Sequence, residues 1–282
     1  MKMQNKSISL LDMVAEYAAS ETLNLPVFPK VAQELCEKMA DENSSINDIA
    51  AIIAKDQALA GQMLKLANSA FFAGLNRVRT IRESIMRLGV NQVYNCLVTG
   101  SQKGYYLSHD PVIDQHLQVL WKHALATAKG SQWLLRKTGY PELADEGFLS
   151  GLFHDIGKLL LLRVLETIRA ENQDVEISEP FILEILDSMH VEQGYALMNE
   201  WSIPQVYCDV AKHHHDEELD NADSLLMAVR IVDHVCAKTG LSLKPDPALD
   251  TATLPEVHAM SIKDIVLAEL EIVIEDALEA EL

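Results

Sequence analysis

Two ionisable residues stand next to each other in an apolar stretch, GLFHDIGK, at residues 151–158. Burying His154 and Asp155 beside Phe153 and Ile156 would be costly unless other groups pair with them. Lys158 follows about one helical turn after the pair. The stretch therefore predicts a buried polar site whose remaining members come from elsewhere in the chain.

Other histidines and a late aspartate lie within apolar segments on both sides of this pair. His123 is found in LWKHALATA, His190 in MHVEQG, a run of three histidines in AKHHHDE and Asp233 in IVDHVC. Taken singly, each has an ordinary explanation as a hydrogen-bonded or solvated side chain. Taken together, such residues on successive predicted helices are typical of a metal site inside a helical bundle.

The donor types indicate which ions such a site would take. Imidazole and carboxylate ligands suit one or two divalent ions of Fe, Mn, Ni, Co or Zn. Because neighbouring side chains on a helix diverge by about 100°, an adjacent His-Asp pair suits two ions, or one ligand and a bridging carboxylate. Lys158 could lean back toward the site and neutralise a phosphoryl oxygen.

The hydrophobic spacing is helical nearly throughout and predicts an all-α, multi-helix bundle. Ser45 suits the N-cap of the helical stretch INDIAAIIAKDQALAGQMLKLANSAFF. Gly89 divides the next stretch, RESIMRLGVNQVYNCLVTG, into two short helices. The helix DQHLQVLWKHALATAKGSQWLLRKTG ends at a Gly-Tyr-Pro stop signal, and the next long helix stops at Pro204. The sequence contains no alternating strand pattern.

We expect an N-terminal helix or extension at residues 1–19, a main domain at 20–240 and a further segment at 241–282. The turn GYYLSHDPV separates an N-terminal helical half, 20–105, from a second half, 110–240, which carries nearly all the histidines. The final segment is a loop and an acidic amphipathic helix. Its apolar stripe is expected to dock on the parent domain rather than on a partner.

The charge composition argues against nucleic acid as a partner. The formal net charge is −19, whereas binding to a nucleic-acid backbone requires clustered Lys and Arg. The one basic cluster, formed by Arg77, Arg79, Arg82 and Arg87, is interleaved with apolar positions and is interpreted as solvated helix and turn faces. Nucleic acid is therefore not an expected partner.

The sequence also predicts a cytoplasmic protein without a membrane span. No apolar run reaches the roughly 18–20 residues that cross a bilayer, and the polar start does not resemble a signal peptide. The cysteines are widely separated and form no C-x-x-C pair, which favours reduced thiols in a core. They are Cys36, Cys96, Cys208 and Cys236.

His123, His154-Asp155 and Asp233 resemble the H…HD…D signature of the HD phosphohydrolase superfamily, and HDIGK is the form found in its HD-GYP and HDOD branches. Further stretches resemble the HDOD branch, the HD-related output domains. They are KDQALAGQMLKLANSAFF, TIRESIMRLGVNQVYN, and HVEQGYALMNEWSIP with VAKHHHD. The resemblance extends over roughly residues 20–240. It implies a second half built from HD-type helices.

The resemblance also implies a ligand set. The implied metal ligands are His123, His154, Asp155, His190, His213, His214 and Asp233. Lys158 matches the lysine of the HD-x-x-K pattern, which orients a substrate phosphate or the attacking water, so Asp155 and Lys158 are the implied catalytic residues. Three histidines in a row leave the register open between His214 and His215, whereas His234 is interpreted as an ordinary histidine.

Two functions of different classes follow. The first is a signalling and output module that binds a signalling protein partner and retains a metal site. The alternative is a metal-dependent phosphohydrolase that acts on a nucleotide or another phosphate ester, and catalytic activity stays open between them. HD-GYP enzymes follow the His-His pair with D-G-x-G-Y-P, but HHHDEELDNADSLL has no Gly, Tyr or Pro. Hydrolysis of cyclic di-GMP is therefore not expected.

Overall fold

The structure is a computed structural model that describes residues 9–18, 31, 33–35, 38, 44–55, 57–69, 72, 76–172, 175–217 and 223–279. These residues contain helices and turns but no strand, which confirms the predicted all-α class. Two compact units divide the chain: one is formed by residues 27–104, and the other by 1–26 together with 105–282.

The helices with described bounds are α1 (Leu10–Ala18), α2 (Ile46–Ile53), α3 (Gln57–Ala67), α4 (Ile81–Leu88), α5 (Val90–Gln102), α6 (Pro111–Lys137), α7 (Ala144–Phe153), α8 (Ile156–Glu171), α9 (Glu179–Glu200), α10 (Gln205–His213), α11 (Ser224–Lys238), α12 (Pro255–Ala259) and α13 (Asp264–Glu279). Short 3₁₀ turns lie at Lys103–Tyr106, Pro141–Leu143 and Thr251–Thr253. Among the described residues, no helix is both long and apolar enough to cross a bilayer.

Capping and turn residues explain the helix boundaries in the unit of residues 27–104. Ser45 begins α2 through a capping box, in which its hydroxyl accepts from the Asp48 amide and the Asp48 carboxylate accepts from the Ser45 amide. The helical run that follows divides into α2 and α3 around a turn at residues 54–55. Gly89 has a φ of +82°, and its left-handed backbone ends α4 before α5 begins.

Asn68 in the LANSAFF block connects the end of α3 to the segment before α4. Its amide nitrogen donates to the carbonyls of Leu64 and Val78, and its amide oxygen accepts from the Val78 backbone at 2.8 Å. Arg87 donates to the carbonyls of Ala67 and Asn76. These bonds account for part of the basic cluster as a structural feature of its own unit.

Helix α6 is the central element of the second unit. It has 27 residues, is capped by Asp110 and has Pro111 in its first turn. Helices α7, α8, α11 and α13 all pack against it. The free thiols of Cys208 and Cys236 are buried in this unit, Cys96 is half-buried in the other, and Cys36 lies outside the described residues.

The acidic C-terminal helix α13 docks on its own unit. Leu267, Leu270 and Ile274 join the hydrophobic cluster that α6 and α11 form. Ion pairs from Lys137 to Glu269 and from Lys238 to Glu271, at 2.6 and 2.7 Å, flank this contact. The apolar stripe of the helix is therefore a core surface, as expected from its spacing.

Two isoleucines of α13 provide a matched test of this docking. Ile274 is fully buried, whereas Ile272 is 58% exposed. We expect Ile274→Ala to lower the free energy of unfolding by about 2–5 kcal/mol, because it leaves a cavity in the core. Ile272→Ala should change it by less than about 0.5 kcal/mol. Urea denaturation followed by circular dichroism measures both, and equal effects would contradict the docked position of α13.

Candidate metal centre

Six helices bring most of the predicted site residues together. His123 lies in the middle of α6, and His190 lies within α9. His154 and Asp155 occupy the two-residue junction between α7 and α8. Asp233 belongs to α11, and the histidine run closes α10. Because the junction interrupts the helix, adjacent residues can point into one polar cluster.

Most of this cluster is removed from solvent, whereas His215 is exposed. His123, His154, Asp155, His190 and His214 each expose 3% or less of their surface. Asp233 is the more open carboxylate, with 18% of its side chain exposed. Such burial of polar groups is favourable only if they are paired or bind an ion.

The potential ligand atoms form two groups that share Asp155. His123, His154 and Asp233 form one group, and Asp155, His190, His214 and His215 form the other, with atoms of each group lying within 4.8 Å of one another. Asp155 also reaches the first group, since its Oδ2 lies 3.3 Å from Nε2 of His123 and 3.5 Å from Nε2 of His154. Its Oδ1 lies 3.4 and 3.5 Å from Nε2 of His190 and His214. This geometry suits a carboxylate that bridges two ions.

Backbone carbonyls orient four of the imidazoles in the same way. Nδ1 of His123, His154, His190 and His214 lies 2.8–3.2 Å from the carbonyls of Leu241, Gly151, Asp187 and Ala211, respectively. A carbonyl can only accept, so each Nδ1 must donate its proton. In the neutral form of each ring, Nε2 then carries a lone pair that points into the cluster, which is the orientation of a metal-ligating histidine.

The spacing of these atoms fits metal ions. Nε2 of His123 and Nε2 of His154 are 3.1 Å apart, and those of His190 and His214 are 3.4 Å apart. Two ligands of one ion, at bond lengths of about 2.0–2.2 Å, are separated by roughly 3.0–3.5 Å. Asp155 Oδ1 is buried and has no hydrogen-bond partner. Facing lone pairs and an unpartnered carboxylate oxygen are both satisfied by a cation, so the residues present fit a divalent metal pair.

The electrostatics of the cluster also favour positive charge at its centre. Burial opposes protonation of His123, yet hydrogen bonds that Asp155 and Asp233 accept hold its pKa well above the usual value, so a cation is favoured at its Nε2. Burial lowers the pKa of His214 to about 3, and it lowers that of His190 as well. These two rings are therefore neutral and available as ligands at physiological pH.

Lys158 balances part of the carboxylate charge. Its ammonium lies 2.6 Å from Oδ2 of Asp155. Burial would raise the pKa of Asp155, but Lys158 and the surrounding imidazoles hold it well below its usual range. Burial likewise acts against the charge of Lys158, yet Asp155 raises its pKa overall. Both groups are therefore charged, and Lys158 is a fixed cation beside the cluster.

The histidine run takes a different register from the implied His213 and His214 pair. His213 is the last residue of α10; its ring faces solvent, with 41% of the side chain exposed, and bonds to Asp216 at 2.6 Å. His214 and His215 are the two that enter the cluster. Helix α10 ends at this run, and the turn that follows directs His215 to within 5.1 Å of the His190 ring centre. His215 thus replaces His213 in the candidate ligand set.

Close contact between two helices brings the His154–Asp155 junction next to His190. Gly157 of α8 faces Gly194 of α9, and a Cβ atom built on Gly157 would lie 1.9 Å from the carbonyl oxygen of His190. Gly157 is two residues after Asp155. Only glycine allows α8 and α9 to approach at this point. HDIGK therefore contains a glycine that the packing of α8 on α9 requires, in addition to the polar pair His154 and Asp155.

The sequence of this chain matches one known protein family. The model of the HDOD domain matches residues 25–217. The chain belongs to the HDOD family. Asp233 and the carbonyl of Leu241 lie beyond the matched residues, so this HDOD chain completes its cluster with a following helix and loop.

Relatives of this HDOD chain support the fold. An HDOD domain protein of unknown function from Geobacter sulfurreducens superposes with a TM-score of 0.72 at 22% identity, covering 96% of both chains. A proposed metal-dependent phosphohydrolase from Shewanella amazonensis SB2B gives 0.67 at 20% identity, covering 95% and 96%. An uncharacterized protein from Treponema pallidum (strain Nichols) is 26% identical over 75% of this chain. The chain spans less than half the length of the curated relatives it matches.

The glycine contact generates a test of the site's packing. Gly157→Ala should separate α8 from α9, lower the free energy of unfolding by about 1–3 kcal/mol and reduce the amount of bound metal. Gly61→Ala is the control, because a Cβ atom there meets nothing within 4 Å and helix propensity favours alanine by up to about 1 kcal/mol. Chemical denaturation and elemental analysis measure the two effects. Equal stability of the two variants would contradict the close approach.

The histidine run provides a matched pair for the ligand set. His214→Ala removes a buried member of the cluster, whereas His213→Ala removes its solvent-facing neighbour. After loading with Mn²⁺ or Zn²⁺ and desalting, we expect His213→Ala to keep the metal content of the original chain. We expect His214→Ala to lose at least one ion per chain, as elemental analysis would show. Loss of metal in His213→Ala alone would favour the register implied by the resemblance.

Proposed function

We propose that this chain is an HDOD signalling module whose second unit holds two divalent transition-metal ions. The observation that carries the proposal is the convergence of five imidazoles and two carboxylates around Asp155, whose Oδ1 is buried without a hydrogen-bond partner. We propose Fe, Mn, Ni, Co or Zn as the metal, since the donor set lacks thiolate. The signalling role and a protein partner rest on membership of the HDOD family and not on the site, and the cytoplasmic location is proposed from the sequence prediction alone.

The residues divide between two ions around one carboxylate. His123, His154 and Asp233 would hold the first ion, and His190, His214 and His215 would hold the second. Asp155 would bridge them through its two oxygens, which face the two groups at 3.3–3.5 Å. Backbone carbonyls keep four of the rings in the required tautomer, so little rearrangement is needed on loading.

A specific observation favours a second function, phosphate-ester hydrolysis. A cavity borders the cluster and is lined by Lys158, His215 and Asp233, so a ligand can reach the site. When bound, divalent ions supply Lewis acidity toward water and phosphoryl oxygens. Lys158 would attract the phosphoryl group and offset the charge that develops on it, while Asp155 fixes the position of its ammonium.

The two functions are separated by assay of the Mn²⁺-loaded chain with a generic phosphate monoester and a generic diester. The signalling module predicts no turnover above that of Asp155→Asn, which loses the bridging charge. Turnover that disappears in Asp155→Asn and falls at least about tenfold in Lys158→Met would establish the phosphohydrolase. Lys263→Met, at an exposed lysine before α13, is the control and should behave as the original chain. A chain that retains no metal after loading would contradict both functions.

A further inference from the structure

A cavity of about 230 Å³ lies beside the metal centre and is built from two kinds of surface. Its inner end is polar, with Lys158 and Asp233 only 17% and 18% exposed. Leu183, Leu186, Ala237 and Leu243 form the aliphatic part of its wall, and His234 and Ser242 also line it. Helices α8, α9 and α11 and the loop after α11 all contribute to this lining.

The inner end favours an anion. The Lys158 ammonium is held there by its 2.6 Å contact with Asp155. Two divalent ions and Lys158 would together outweigh the charges of Asp155 and Asp233. A phosphoryl group, with its several charged oxygens, would match this excess of positive charge and would be a suitable further ligand for divalent ions.

The outer end limits the size of the ligand. Lys244 of the loop pairs with Asp187 of α9 at 2.8 Å, and both side chains line the cavity and are more than half exposed. The pair therefore joins the loop to α9 at the solvent side. The cavity volume of about 230 Å³ lies below the roughly 300 Å³ at which pockets for drug-sized ligands begin. A phosphate and one small organic group fill it.

We propose that this cavity binds a small phosphate monoester, with its phosphoryl group beside Lys158 and a single sugar-sized group against the aliphatic wall. The inference rests on the proposed metal centre and adds the class of ligand to it. Leu183, Leu186 and Ala237 are the specificity-determining contacts. A cyclic dinucleotide would have to leave most of its second nucleotide outside the Lys244–Asp187 pair.

The same loop connects ligand binding with the metal ligands. Leu241 accepts the Nδ1 proton of His123 at 2.8 Å, and Asp187 accepts that of His190 at 3.2 Å. The ion pair between Lys244 of this loop and the Asp187 side chain joins the same two segments. A ligand seated on the wall therefore contacts the segments that orient one histidine of each metal group.

Calorimetric titration of the Mn²⁺-loaded chain tests the proposal with three probes. These are inorganic phosphate, a phosphonate analogue of ribose 5-phosphate that cannot be hydrolysed, and cyclic di-GMP. The analogue should bind at least about tenfold more tightly than inorganic phosphate, because it also buries apolar surface. Cyclic di-GMP should bind no more tightly than inorganic phosphate.

Ala237→Phe fills the wall and should abolish the tenfold preference while keeping the metal content and the affinity for inorganic phosphate within about twofold. Ala268→Phe, on the exposed face of α13, should keep the preference. Leu183→Ala removes part of the wall without adding bulk and should weaken the analogue alone, so a misfolded Ala237→Phe leaves a second test. Equal binding of the analogue and inorganic phosphate, or an unchanged preference in Leu183→Ala, would overturn the cavity assignment. A chain that binds no metal would instead overturn the proposed function.

Discussion

The carboxylate of Asp155 is the group on which the second unit depends. It is 3% exposed and one of its oxygens lacks a hydrogen-bond partner. A buried carboxylate is costly unless cations surround it. Lys158 supplies one fixed cation, and the imidazoles that face both oxygens create places for others. The helices are arranged so that a charge excluded from water is compensated from several directions.

Compensation of the buried Asp155 charge depends on backbone carbonyls as well as on side chains. Each of four imidazoles is held by a carbonyl, and three of these carbonyls belong to the turn just before the histidine itself, at Gly151, Asp187 and Ala211. These local bonds orient the ring without help from distant residues. His123 differs, because its carbonyl comes from Leu241 in a loop over 100 residues later. The orientation of that ring therefore depends on tertiary structure, and so does its place in the cluster.

This difference explains what could be predicted from the sequence. Helical periodicity was sufficient for the all-α class and for the break at Gly89, since both depend on local backbone preferences. The partners of His154 and Asp155 were found through the order of motif residues along the chain. The register of the histidine run was not predictable, because it depends on the residue at which α10 ends. Residues in the loop after α11 gave no signal, since Leu241 contributes only a backbone carbonyl.

The division between matched and unmatched segments separates most of the candidate metal ligands from part of the cavity wall. The HDOD match ends at residue 217, yet Asp233, Ala237 and the loop with Leu243 line one side of the cavity. The ligands before residue 217 lie in helices whose packing is restricted by contacts such as that of Gly157 with the carbonyl of His190. Leu243 and Lys244 of the loop line the cavity and lie outside the contact between α8 and α9. The packing that positions these candidate ligands and the side chains that line the outer cavity therefore belong to different segments, so substitutions in the wall can alter the proposed ligand preference and leave the candidate metal ligands in place.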